Sequence, residues 1–73
     1  MNQLQQKDDL RDVLAEAINP ETPPYRLKTL AAHQAWLVRS LVAKNPSTPA
    51  RSIEHLISDE NPLVRDAAYF GRR

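Results

Sequence analysis

The sequence contains no cysteine, which excludes disulfides, thiolate zinc sites, iron–sulfur clusters and a cysteine nucleophile. Its single glycine, Gly71, leaves no phosphate-cradling glycine loop, and Ser40, Ser47, Ser52 and Ser58 have no nucleophile-elbow context around them. No apolar run is long enough to span a membrane. Residues 1–20 carry Lys7, Asp8, Asp9, Arg11, Asp12 and Glu16 where a signal peptide needs an uninterrupted apolar stretch, so the expected location is the cytoplasm, with no membrane partner. Excess charge of one sign is also missing: 10 Lys and Arg against 9 Asp and Glu leave +1, too little to attract nucleic acid or an anionic surface through the total alone.

What remains is a chain of 73 residues with 41% hydrophobic and 26% charged residues, enough for one small folded domain and too little for an elaborate enzyme. A repeat organises it. Asn19-Pro20-Glu21-Thr22-Pro23 returns as Asn45-Pro46-Ser47-Thr48-Pro49, an offset of 26 residues. The register then holds without a gap, Leu27 with Ile53, Leu30 with Leu56, Leu37 with Leu63, Val38 with Val64 and Arg39 with Arg65.

Each unit reads as two helices joined by a tight connection. Thr22-Pro23 and Thr48-Pro49 read as N-cap followed by proline at the first helical position, where the missing N–H costs nothing. Leu27, Leu30 and Ala31, and then Ile53, Leu56 and Ile57, follow i, i+3, i+4 spacing and predict a short inner helix in each unit. Leu37, Val38, Leu41 and Val42, matched by Leu63, Val64, Ala67 and Ala68, predict the second helix buried along one stripe, with Asn61-Pro62 as cap and first residue of the later one. Ahead of the units, Leu10, Val13, Leu14, Ala17 and Ile18 form a further amphipathic stripe.

The pattern N-P-x-T-P, two leucine-like positions three apart, then V-R and small residues resembles the leucine-rich repeat variant family and overlaps the HEAT-like signature, through Asp59, Val64, Arg65 and Ala68. In the first unit His33 stands where that signature has Asp. The resemblance implies an all-α fold, a short right-handed α-solenoid of two 26-residue units over residues 19–44 and 45–70, with residues 1–18 as an N-terminal capping helix. Some relatives carry an iron–sulfur module; a chain without cysteine cannot. No cofactor is expected.

His33 and His55 lie 22 residues apart, neither with a carboxylate at helical ligand spacing, so they read as solvated or cap-region histidines. Arg39 and Arg65 follow buried valines and read either as structural, bending back to a helix-end carbonyl or to an acid of the neighbouring layer with Asp59 the expected partner of Arg65, or as ligand- or partner-binding. Trp36 either fills the space beside the N-terminal helix or anchors an interface. Tyr69 and Phe70 either fold back as a C-terminal cap ended by Gly71 or form a sticky open end.

Two functions from different classes fit. The first is a non-catalytic module binding a protein partner or a second copy, through Tyr25, Trp36, Tyr69 and Phe70 with Arg26 and Arg51 as polar rim. The second is nucleic-acid binding by Arg26, Lys28, Lys44, Arg51, Arg72 and Arg73, since residues 1–24 are net −3 and the remainder net +4. Both rest on the aligned apolar core. Leu56→Ala is expected to cost about 2–5 kcal/mol and to unfold the domain; a variant melting within about two degrees of the parent would remove Leu56 from that core.

Overall fold

The computed structural model describes residues 9–71, and all regular structure among them is helical. Five helices follow in order: α1 Leu10–Ile18, α2 Pro24–Leu30, α3 Trp36–Lys44, α4 Ala50–Leu56 and α5 Pro62–Phe70. The nine-residue helices α1, α3 and α5 start 26 residues apart, and so do the seven-residue helices α2 and α4. The long helices lie side by side with α3 in the middle, against α1 on one side and α5 on the other. Each short helix packs on two successive long ones, α2 on α1 and α3, α4 on α3 and α5. The N-terminal helix thus occupies the same register as α3 and α5; residues 1–8 of the expected capping segment lie outside the described residues.

The prolines start helices, but not as the dipeptides Thr22-Pro23 and Thr48-Pro49 suggest. The N-caps are Pro23 and Pro49 themselves, in extended conformation and without a side-chain cap bond. The threonine hydroxyls point the other way, donating to the preceding long helix: Thr22 Oγ1 to the Glu16 carbonyl at 2.8 Å, Thr48 Oγ1 to the Val42 carbonyl at 2.6 Å. A helix end lacks donors for its last carbonyls, and a buried hydroxyl that supplies one satisfies both groups. Asn61 does cap α5, its Oδ1 accepting from Leu63 N at 2.7 Å with Pro62 at the first position.

The Asn-Pro turns are stacked on one another. Thr22 N donates to the Asn19 carbonyl and Thr48 N to the Asn45 carbonyl, closing β-turns with proline at the second position. Buried Asn45 then reaches across: its amide donates to the Ala17 and Asn19 carbonyls at 2.8 and 3.0 Å, while its Oδ1 accepts from Ser47 N at 2.9 Å. Ser47 Oγ adds a bond to the Pro20 carbonyl at 2.7 Å. Asn19, one unit earlier, is exposed, and its Oδ1 accepts from Glu21 N.

The core contains only small and medium aliphatic side chains. Val13, Ala17, Leu27, Leu30, Val38, Val42, Ala43, Ile53, Leu56, Val64, Ala67 and Ala68 form one cluster, with Leu14, Ala31 and Leu41 partly buried against it. Every aromatic residue lies outside. Several residues of the apolar stripes also face solvent: Leu10, Ile18, Leu37, Ile57 and Leu63 are 41–59% exposed. A helix turns about a 100° stripe inward, and Leu37 and Leu63, one residue before the buried Val38 and Val64, fall outside it. Ile57 follows the last residue of α4, where the chain has begun to turn.

The stacked turns predict unequal costs for equal substitutions. Asn45→Ala removes three side-chain hydrogen bonds and leaves the buried Ala17 carbonyl without its amide donor, for an expected loss of about 2–3 kcal/mol; Asn19→Ala removes one exposed bond and should cost about 0.5–1 kcal/mol. Urea unfolding of the two variants measures the difference directly.

Candidate functional site

Arginine placement decides which charges are free for a ligand. Arg39 on α3 reaches forward to the loop before α5, where Nε and Nη2 bind the two carboxylate oxygens of Asp59 at 2.8 and 3.0 Å. Its Nη1 donates to the carbonyls of His33 and Gln34 at 2.8 and 3.1 Å. The pair is largely sheltered, with side-chain exposures of 12% and 9%. The expected Arg65–Asp59 ion pair is therefore corrected: the carboxylate belongs to Arg39 of the preceding unit, and Arg65 binds the Asp59 and Glu60 carbonyls through Nη1 at 2.7 and 3.2 Å. An arginine on a long helix lies over the loop leading into that helix, and its fork then points to the next unit, a geometry that residue types alone do not reveal.

Asp59 Oδ1 also accepts from Asn61 N at 2.9 Å. At the matching place His33 Nδ1 accepts from Ala35 N at 3.0 Å, so the imidazole replaces the carboxylate in closing the loop. It replaces that function only, and position 13, the register partner of Arg39, holds Val13.

Two open grooves lie on different faces. Trp36, Leu37, Leu63 and Phe70 line one between α3 and α5, a hollow of about 490 Å³ edged by Lys44 and Asp66. Their exposures run from 41% for Trp36 and Leu37 to 58% for Phe70. Tyr69 touches Phe70 edge-on, with ring centroids 4.9 Å apart, and is itself 63% exposed. Both rings thus stand out from the end of α5, and the alternative of a folded-back cap is not the arrangement seen. Sequence periodicity placed Leu37 and Leu63 inside; their contribution to this groove was missed, although their common register was visible.

The second groove, about 370 Å³, lies between α2 and α4 and has Ala31, Ala32 and Pro49 as apolar lining with Lys28, Arg51 and His55 around them. The remaining basic residues do not join it. Arg26 is bound to Glu16 through Nε and Nη2, the shortest contact being 2.8 Å, and Lys44 borders the other groove. Arg72 and Arg73 lie outside the described residues. Tyr25, 75% exposed on α2, lines neither groove. In the 26-residue register Arg51 corresponds to Tyr25 rather than to Arg26, so the expected polar rim is split between faces.

No described helix is long and apolar enough to cross a membrane, and the described residues hold no cluster of three His, Asp or Glu side chains suited to a metal ion. The chain matches no family model, no curated protein and no solved structure.

The hydrogen bonds from Arg39 hold the Asp59 carboxyl below its usual range; burial opposes the shift, and the Asn61 N–H reinforces it. The same contact with Asp59 raises Arg39 and keeps it charged. A lowered native value means that the unfolded chain binds the proton more tightly, so the bridge contributes fully above about pH 4 and its contribution is lost as pH falls through the native value. Asp59→Asn should cost about 3 kcal/mol at pH 7 by leaving Arg39 unpaired. Denaturant melts should show parent and variant converging as the pH is lowered through the acid range; a gap that stays constant would mean that Asp59 is not stabilised as the anion.

Proposed function

We propose that the chain is a non-catalytic protein-binding module, built as a short right-handed α-solenoid of two 26-residue units of the leucine-rich repeat variant or HEAT-like kind behind the capping helix α1. The recurrence of helix bounds and of loop hydrogen bonds at one offset supports the repeat reading. The binding reading is carried by one observation: Trp36, Leu37, Leu63 and Phe70 share an open groove although the core is complete without them. Large apolar side chains gathered on a surface mark contact sites, and tryptophan is enriched among the residues that dominate such contacts. An amphipathic helix laid between α3 and α5 is the partner geometry that suits a shallow groove between two helices. Self-association through the same residues belongs to this reading.

The groove containing Lys28, Arg51 and His55 supports a second reading, contact with a nucleic-acid backbone. The ion-paired Arg26 and the distant Lys44 leave that face with fewer available cations than the sequence offered.

Affinity capture from nuclease-treated and untreated lysate, with the parent chain and Leu63→Glu side by side, separates the readings. Leu63 is 54% exposed, so the substitution leaves the core intact. A protein retained after nuclease by the parent and reduced about tenfold or more with Leu63→Glu supports the groove, since a desolvated apolar anchor contributes about 1.4 kcal/mol or more. Equal capture by both chains would remove the groove from the interface. Retention that requires intact nucleic acid, with a steep salt dependence, would favour the second reading.

A further inference from the structure

The groove between α2 and α4 is built from residues 28–55 alone, with one wall from each unit. Ala31, Ala32 and Pro49 give it an apolar lining, Lys28, Arg51 and His55 stand around them, and no aspartate or glutamate takes part. The side chains of these three basic residues are exposed and make no hydrogen bond or ion pair among the described residues, whereas Arg26 and Arg39 are each bound to a carboxylate. The repeat does not require this charge: Lys28 stands at the register of Glu54, Arg51 at that of Tyr25 and His55 at that of Thr29. Nor does it require the hollow, since Ala31 stands at the register of Ile57. The junction of the two units thus joins basic groups that are uncompensated within the groove to a small apolar surface between them.

We infer that this groove binds a short acidic segment of a partner protein, with one apolar side chain against Ala31, Ala32 and Pro49 and carboxylates on Arg51 and Lys28. The Arg51 guanidinium offers a planar fork that pairs with a carboxylate through two parallel bonds, and Lys28 supplies a point charge on the opposite wall. Exposed pairs of this kind contribute little singly, so the apolar contact carries part of the affinity and the charges chiefly select the ligand. A hollow of about 370 Å³, near the lower end of the range for ligand pockets, takes one side chain with its flanking residues rather than the face of a helix. A nucleic-acid backbone engages the cations and leaves the apolar lining unused, and a base finds no ring to stack on, because Tyr25 does not line the groove. The site lies apart from the groove lined by Trp36 and does not rest on it.

Backbone-amide NMR titrations of the full chain with end-blocked pentapeptides provide the test. Ser-Glu-Leu-Glu-Ser should shift Ala31, Ala32, Arg51 and His55 to saturation and leave Trp36 and Leu63 in place. Replacing both glutamates by glutamine, or the leucine by glycine, should each weaken binding about tenfold. In the chain Arg51→Gln, which removes a side chain unbonded among the described residues, the difference between the glutamate and glutamine peptides should fall to about threefold or less, while the leucine effect stays. Titrations that move none of these amides overturn the inference, as does equal affinity for the glutamate and glutamine peptides. A leucine-to-glycine change without effect overturns the apolar anchor, and an oligothymidylate that binds the same residues more tightly than the peptide assigns the groove to nucleic acid instead.

Discussion

Short helices have a high proportion of ends. An α-helix leaves its first four N–H and last four C=O groups without partners along the chain, so in helices of seven and nine residues about half the backbone polar groups need help from elsewhere. The fold meets that demand with side chains directed at helix ends. Thr22 and Thr48 serve the C-termini of α1 and α3, Asn45 serves α1 and the turn after it, and Arg39 and Arg65 serve the loops after α2 and α4. Each is a polar residue that donates to a carbonyl at a helix end or in the adjoining loop, the Ala17 and Val42 carbonyls being the buried ones, and among the described residues no buried side-chain nitrogen or oxygen lacks a partner. The aliphatic cluster alone would hold helices of this length only loosely, since helical stability in such pieces comes from packing and closure rather than from propensity.

Much of this was legible in the residues. Proline and asparagine set the helix starts and turns, and the 3.6-residue spacing of Val13 and Ala17, Leu27 and Leu30, and Ile53 and Leu56 marked the buried faces. What stayed hidden was direction. A threonine before a proline reads as a cap for the helix after it, yet both threonines here bond backwards, because the preceding helix end was the buried one. An arginine and an aspartate six residues apart read as a local pair, yet Asp59 answers Arg39 at a separation of 20 residues. The repeat contains the clue to both, since two residues kept at one offset point to a contact between units, but the offset does not say which unit supplies which partner.

The candidate surfaces obey the same division. Residues that match between the two units mostly build the fold, Leu37 and Leu63 apart, while the grooves draw much of their other lining from positions that differ: Trp36 stands at the register of Pro62, Phe70 at that of Lys44, Arg51 at that of Tyr25 and Lys28 at that of Glu54. Individual residues such as Trp36 and Phe70 were recognisable as unneeded by the core, but their meeting in one groove required the lateral packing of α3 on α5. The basic residues show the reverse case, because a count of cations took no account of Glu16 and Asp59, which bind two of them.

The position of α3 has a consequence for how the molecule comes apart. It is the one helix that packs substantially against all four others, and α1 and α5 are joined chiefly through it. With α1 and α5 each packed on α3, coupling between them passes chiefly through that central helix. The terminal helices can open and reclose singly while α3 keeps its neighbours, whereas loss of α3 dissolves the main interfaces at once. Cooperativity therefore has a location, and among the described residues the slowest amide exchange should belong to α3 and the fastest to α1 and α5.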